Sequence, residues 1–225
     1  MLCSKCKELY DDTLRRNCSI CAHPLYECTC PNEYLDAHYV HKSVKVFRYL
    51  VDKDLPTNRL IFSLKKDNRR DVLDFLAKEL SDSIKLNIKS LDKYIITSVP
   101  RRKNAISKYG FDHAALLAKA VAKKLDIKYV NTLKSEVKRE QKFSQSREER
   151  FKKLKFKARK KSIDLSGSDV IIVDDIVTTG ASMGACAMLL KSMGAKRIIG
   201  ASLAIAYKDP YIKFEQDDRY KRKKK

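Results

Sequence analysis

The stretch Val170 to Ser182, VIIVDDIVTTGAS, constrains the fold of this 225-residue chain more than any other. Its first four residues are β-branched, the pattern of a strand buried on both faces. From Ala181 to Met193 the sequence has a helical pattern, and it stops at Gly194, a residue suited to the left-handed position after a helix. Arg197 to Ala206, RIIGASLAIA, reads as the next strand. Strand, loop, helix, glycine and strand make a βαβ unit, and such units build parallel sheets flanked by helices. An α/β domain is therefore expected.

Other segments supply elements for the same layers. Tyr94 to Val99 is a short β-rich run that ends at Pro100 and reads as a buried strand. Asp71 is a plausible N-cap for a helix carrying Val72, Leu73, Phe75, Leu76 and Leu80 on one side. A second amphipathic helix is expected from His113 to Leu125. From about Ala37 to Phe62 polar and apolar residues alternate, which reads as one or two strands or a short helix.

The loop itself carries chemistry. In open parallel sheets ligands bind beyond the carboxyl ends of the strands, and Asp174 and Asp175 follow the apolar run at that place. Thr178, Thr179, Gly180, Ala181 and Ser182 are small or hydroxyl-bearing and lead into a helix. Unpaired N–H groups at a helix start suit a phosphate, Gly180 lets the backbone approach, and the hydroxyls add donors. Two adjacent carboxylates would repel that phosphate. They make better sense as acceptors for ribose hydroxyls, or as ligands of a Mg²⁺-bound sugar.

Six of the seven cysteines lie in the first 30 residues. A head this short needs a staple rather than a core of its own. Cys3 and Cys6, then Cys18 and Cys21, form two CxxC knuckles, and four thiolates complete a tetrahedral structural Zn²⁺ site. Cys28 and Cys30 remain as a CxC pair, either free or standing in for one knuckle. The expected organisation is a zinc-ribbon-like segment over 1–35, an α/β domain over 36–210 and a basic tail over 211–225.

Lys and Arg number 49 against 28 Asp and Glu, a formal net charge of +21. Such a balance points to polyanionic partners, since counterion release drives association with phosphate backbones. Residues 134–161 are the most basic stretch and are interrupted by Phe143, Phe151, Leu154 and Phe156, so an exposed helix or mobile loop is expected there. No run is long enough to cross a bilayer and the first residues do not read as a secretory signal, which implies a cytoplasmic protein.

Taken together, VIIVDDIVTTGAS resembles the signature loop of type I phosphoribosyltransferases. The whole chain is similar to the ComF family of competence-associated phosphoribosyltransferase-like proteins, in which a cysteine-rich head precedes this domain. Leu60 to Leu80 looks like that family's lysine-containing strand-turn-helix, and Ser98-Val99-Pro100-Arg101 like its valine-proline loop. Gln141, Arg150 and Leu154 resemble its downstream stretch. Its Arg-Gly-Phe-Asn-Gln motif appears here as Tyr109-Gly110-Phe111-Asp112-His113, and Lys153 stands where an Asn is usual. The resemblance implies binding of 5-phosphoribosyl-1-pyrophosphate (PRPP) with Mg²⁺. Asp174 and Asp175 would hold the ribose and Thr178 to Ser182 the 5-phosphate, while Arg101, Arg102 and Lys65 would meet pyrophosphate. It also implies single-stranded DNA as a partner in natural transformation, beside a competence helicase or recombination mediator. The alternatives it leaves are a nucleobase phosphoribosyltransferase and a PRPP-sensing regulator.

Overall fold

The computed structural model describes residues 2–50, 55–67, 69–102, 104, 106–107, 110–136, 156–160 and 162–206. In chain order the main elements are α1 (Ser4–Leu14), α2 (Glu33–Asp36), β1 (Lys42–Arg48), α3 (Pro56–Lys66), α4 (Arg70–Asn87), β2 (Tyr94–Ser98) and α5 (His113–Leu125). They continue with β3 (Leu133–Ser135), β4 (Phe156–Ala158), β5 (Asp169–Val177), α6 (Ala181–Ser192) and β6 (Arg197–Ile205).

Four strands form one sheet in the order β1-β6-β5-β2, with all three pairings parallel. Helices cover both faces, and the period of two along β5 divides the core. Ile171 and Val173 join a cluster with Leu76 and Leu80 of α4 and Leu117 and Val121 of α5. Val170 and Ile172 join Met183, Cys186 and Leu190 of α6 on the other face. Burying β-branched residues on both sides is what the continuous apolar run required. The exposed edge of β2 is covered by residues 128–130, where Ile96 donates to the Lys128 carbonyl and accepts from Val130 N–H.

Local chemistry sets the ends. Asp112 caps α5 by accepting from Ala115 N–H at 3.0 Å, and Gly194 takes φ +95° just beyond α6. Two boundaries differ from expectation. Helix α4 begins one residue before Asp71, with Arg69 as its cap; Asp71 sits in the first turn and holds Arg69 by a two-pronged ion pair. The alternating stretch 37–62 becomes strand β1 and the start of α3, where Pro56 supplies a first-turn residue that needs no N–H partner.

The ends of the basic stretch are neither helix nor loop. Leu133–Ser135 and Phe156–Ala158 pair antiparallel, with Leu133 buried and Phe156 packed against the α6 core. Residues 137–155, with Gln141, Phe143, Arg150, Phe151, Lys153 and Leu154, lie outside the described residues, as do Tyr109 and the tail 211–225.

Candidate functional site

The site is built where β5 runs into α6. The strand continues through the acidic pair to Val177, so Asp174 and Asp175 are its last turn of pleat rather than part of the loop. Thr178 is exposed and Thr179 half-buried, and Gly180 takes φ +81° as the N-cap of α6. The Thr179 hydroxyl accepts from Ala181 N–H at 3.3 Å, holding the turn into the helix. Ser182 follows in the first helical turn, partly buried. Thr178 to Ser182 are thus gathered at one helix N-terminus, where N–H groups and the dipole favour an anion.

Helix α2 supports this loop from behind. Asn32 caps α2 by accepting from Leu35 N–H at 2.8 Å and donates to the Thr179 carbonyl at 3.4 Å. A methyl group on Gly180 would lie 2.8 Å from Leu35 Cγ. The glycine is required twice, by its positive φ and by this contact. Gly180→Ala is expected to cost about 1–2 kcal/mol through the backbone alone, and more through the displaced Leu35. Thermal unfolding of Gly180→Ala and Gly180→Ala/Leu35→Ala checks this: the second change should relieve part of the strain and not all of it.

Two cations and an imidazole converge on one carboxylate oxygen. Lys65 Nζ from the last turn of α3 lies 2.9 Å from Asp175 Oδ2, Arg101 after β2 lies 3.3 Å away, and His113 Nε2 at the start of α5 lies 2.9 Å away. Asp175 and His113 are both buried. The other oxygen of Asp175 accepts from Ile176 N–H at 2.8 Å, and Asp174 Oδ1 accepts from Asp175 N–H at 2.9 Å. Among the described residues neither ring nitrogen of His113 completes a well-aligned hydrogen bond, Nε2 meeting Asp175 by proximity alone.

The two neighbouring carboxyls are consequently pushed apart. Burial and then the charge of Asp175 raise Asp174 well above the usual carboxylate range. Burial would also raise Asp175, but His113, Lys65 and Arg101 outweigh it and hold Asp175 low. Asp175 is satisfied by protein; Asp174 is the carboxyl with capacity left for a ligand.

Of the basic residues named from sequence, the fold brings Lys65 and Arg101 to the acidic pair. Arg102 is half-buried next door and forms no ion pair with either carboxylate. Sequence reasoning missed His113 as a site residue, although its place in the Gly-Phe-Asp-His stretch at a helix start was the available signal. Asn32 and Leu35 were missed as well.

The cysteine head forms a second centre, with a different membership from the one expected. Cys18, Cys21, Cys28 and Cys30 bring their sulfurs within 4.8 Å of one another, a set that could hold a metal ion. Cys3 and Cys6 are not part of it: Cys3 is the N-cap of α1 and Cys6 lies in its first turn. The sulfurs of Cys18 and Cys21 are thus gathered with those of Cys28 and Cys30 rather than with the expected Cys3 and Cys6. A positive-φ residue, Ala22, closes the Cys18–Cys21 knuckle, and the short helical turn Leu25–Glu27 folds Cys28 and Cys30 back onto it. Ile20 N–H points at Cys18 Sγ (3.4 Å) and Cys30 N–H at Cys28 Sγ (3.3 Å), contacts that stabilise thiolates. A backbone contact from His23 is the largest influence on Cys21 and lowers it to about 6, whereas burial pushes Cys28 up to about 12. Lys45, buried on β1, donates to the Cys30 carbonyl at 2.6 Å and sets a positive charge beside the sulfurs.

The phosphoribosyl transferase domain family matches residues 112–224. Over 41 residues the chain is 46% identical to ribose-phosphate pyrophosphokinase 2 of Archaeoglobus fulgidus, which is 18% of this chain and 15% of that protein. Among solved structures it is similar to the allosteric regulatory enzyme of purine biosynthesis (TM-score 0.43, 18% identity, 70% of this chain and 32% of that one). It is also similar to the adenine phosphoribosyl transferase of Trypanosoma brucei in complex with AMP, pyrophosphate and ribose-5-phosphate (TM-score 0.39, 18% identity, 60% of this chain and 53% of that one).

Proposed function

Because the chain belongs to the phosphoribosyl transferase domain family, we propose that the β5–α6 site binds PRPP together with Mg²⁺. The observation that carries this is the placement of a hydroxyl-rich helix N-terminus, an acidic pair and a cationic cluster at the carboxyl end of one parallel strand. In this reading Thr178 to Ser182 hold the 5-phosphate and Asp174 meets the ribose hydroxyls. Asp175 keeps Lys65 and Arg101 facing the place where pyrophosphate would lie. Mg²⁺ would supply charge neutralisation on the leaving group. If turnover occurs, it displaces pyrophosphate from C1 of the ribose by a nucleobase, and pyrophosphate release with purines or pyrimidines would report it.

PRPP at about 100 times its Kd should stabilise the fold by about 2.7 kcal/mol, a rise in Tm of roughly 5 °C or more. No PRPP-dependent rise, with Mg²⁺ present, would contradict the assignment.

We assign Zn²⁺ to Cys18, Cys21, Cys28 and Cys30, since four thiolates in reach of one point form a closed structural site. The ComF resemblance and the +21 charge support a wider role in the cytoplasm. There the protein would bind single-stranded DNA during natural transformation, alongside a competence helicase or recombination mediator. Among the described residues no helix is long and apolar enough to cross a membrane. Salt-dependent binding of oligonucleotides tests the DNA part, and a PRPP effect on that binding would favour the regulatory reading.

A further inference from the structure

We propose that single-stranded nucleic acid binds across the amino-terminal end of the sheet, opposite the phosphoribosyl site. The proposal rests on the nucleic-acid reading above and gives it a place within the described residues.

A cleft of about 650 Å³ opens at that end, lined by the starts of β1, β2 and β6 and the ends of α4 and α6. Six cations line it: Lys42, Lys89, Lys93, Lys191, Lys196 and Arg197. Two of them are engaged. Arg197 pairs with buried Asp169 and lies over the Tyr94 ring, and Lys191 donates to the Lys196 carbonyl at 3.0 Å. Lys42, Lys89, Lys93 and Lys196 are exposed and have no ion-pair partner among the described residues.

The positive charge exceeds what the fold itself uses. Helices α4 and α6 end here, and each helix C-terminus amounts to roughly half a negative charge. The two together offset about one lysine. Asp92 in the lining offsets another, and Asp169 is matched by Arg197. A surplus of about three charges remains, with nothing in the described fold to neutralise it.

The shape favours a chain over a compact ion. Lys42 and Tyr94 begin the two outer strands of a four-stranded sheet, so the cleft spans three inter-strand spacings, roughly 14 Å. A lone phosphate cannot meet cations spread over that width, whereas successive phosphodiesters can. Tyr39 lines the cleft, is 46% exposed as a residue and sits at a backbone φ of +67°. An exposed aromatic beside a row of cations is the combination that stacks bases while phosphates are neutralised.

The test is fluorescence anisotropy of a short labelled oligo-dT with the full chain and with Lys42→Glu/Lys89→Glu/Lys93→Glu. These side chains are exposed, and the PRPP-induced rise in Tm serves as a control for folding at the other end. Binding by the variant should weaken about tenfold or more at low salt, and the slope of log Kd against log salt should fall by about 2. Tyr39→Ala should weaken binding with the salt slope unchanged. Wild-type binding that the triple variant retains in full would overturn the cleft and leave the nucleic-acid reading standing. No binding by the wild type would overturn both. Displacement of the oligonucleotide by a mononucleotide at a similar concentration would overturn the extended occupant.

Discussion

Asp175→Asn is expected to destabilise the fold and Asp174→Asn to leave it unchanged or slightly more stable, while both weaken PRPP binding. Asp175 sits in a cage of Lys65, Arg101 and His113, and its carboxylate is held low. An amide of the same shape leaves Lys65 and Arg101 facing one another without their counter-charge. Removing one partner of a fully buried pair costs about 3–5 kcal/mol. Lys65 and Arg101 are partly exposed and screened, so about 2–3 kcal/mol is expected. Asp174 is the reverse case, raised by burial and by its neighbour. Asn in its place should be neutral or stabilising by up to about 1 kcal/mol at neutral pH.

The pH dependence separates them further. A group whose folded pKa is lowered stabilises above its unfolded value, here 3.8, and that stability is lost as pH falls toward the folded value. The deficit of Asp175→Asn should therefore shrink on acidification below about 4. A raised group contributes below its unfolded value and loses that contribution as pH rises, so any gain from Asp174→Asn should appear as pH climbs from about 4 towards 7. Urea denaturation across this range measures both; parallel losses at all pH values would contradict the division of roles.

The second large effect concerns the cysteine head. Cys28→Ser should abolish stoichiometric zinc and unfold the segment from Cys18 to Cys30, whereas Cys3→Ser/Cys6→Ser should retain it. Cys18, Leu25 and Cys28 form a core of only three buried residues, with Cys21 and Cys30 packed against them. So small a cluster cannot order a segment unaided. Binding of structural zinc contributes about 10–16 kcal/mol in comparable peptides, so its loss dominates any other change there. The head also leads into Asn32 and Leu35, which support the β5–α6 loop. Chelation should therefore weaken PRPP binding as well. Zinc content by mass spectrometry of native protein, with and without chelator, distinguishes the two quartets: loss of zinc in Cys3→Ser/Cys6→Ser would contradict the geometry.

The β5–α6–β6 unit was legible because each of its signals is local. A β-branched run, a Thr-Thr-Gly bend and a glycine after the helix specify their own backbone, and the acidic pair falls at the strand end by counting. His113 was harder. Its role depends on α5 starting beside the carboxyl edge of β5, a long-range fact that no spacing encodes. The grouping of the cysteines was hard to read from spacing for a related reason. Cys3 and Cys6 have the spacing of a knuckle, yet that same spacing opens helix α1, which packs against α3 and β1. The CxC pair instead depends on the turn at Ala22 and the tight helical turn after Pro24. Lys45 shows the limit from another side: a lysine within an alternating strand reads as solvent-facing, and only the cysteine head packed over the sheet edge makes it buried.

We propose the end of β5 as a phosphoribosyl-diphosphate site. Its most direct test is calorimetric titration of PRPP with Mg²⁺ into the wild type and into Asp174→Asn. A single saturable site in the wild type, weakened at least about tenfold in a variant that remains fully folded, is the expected result. Absence of binding by the wild type, or equal binding by both, would contradict it.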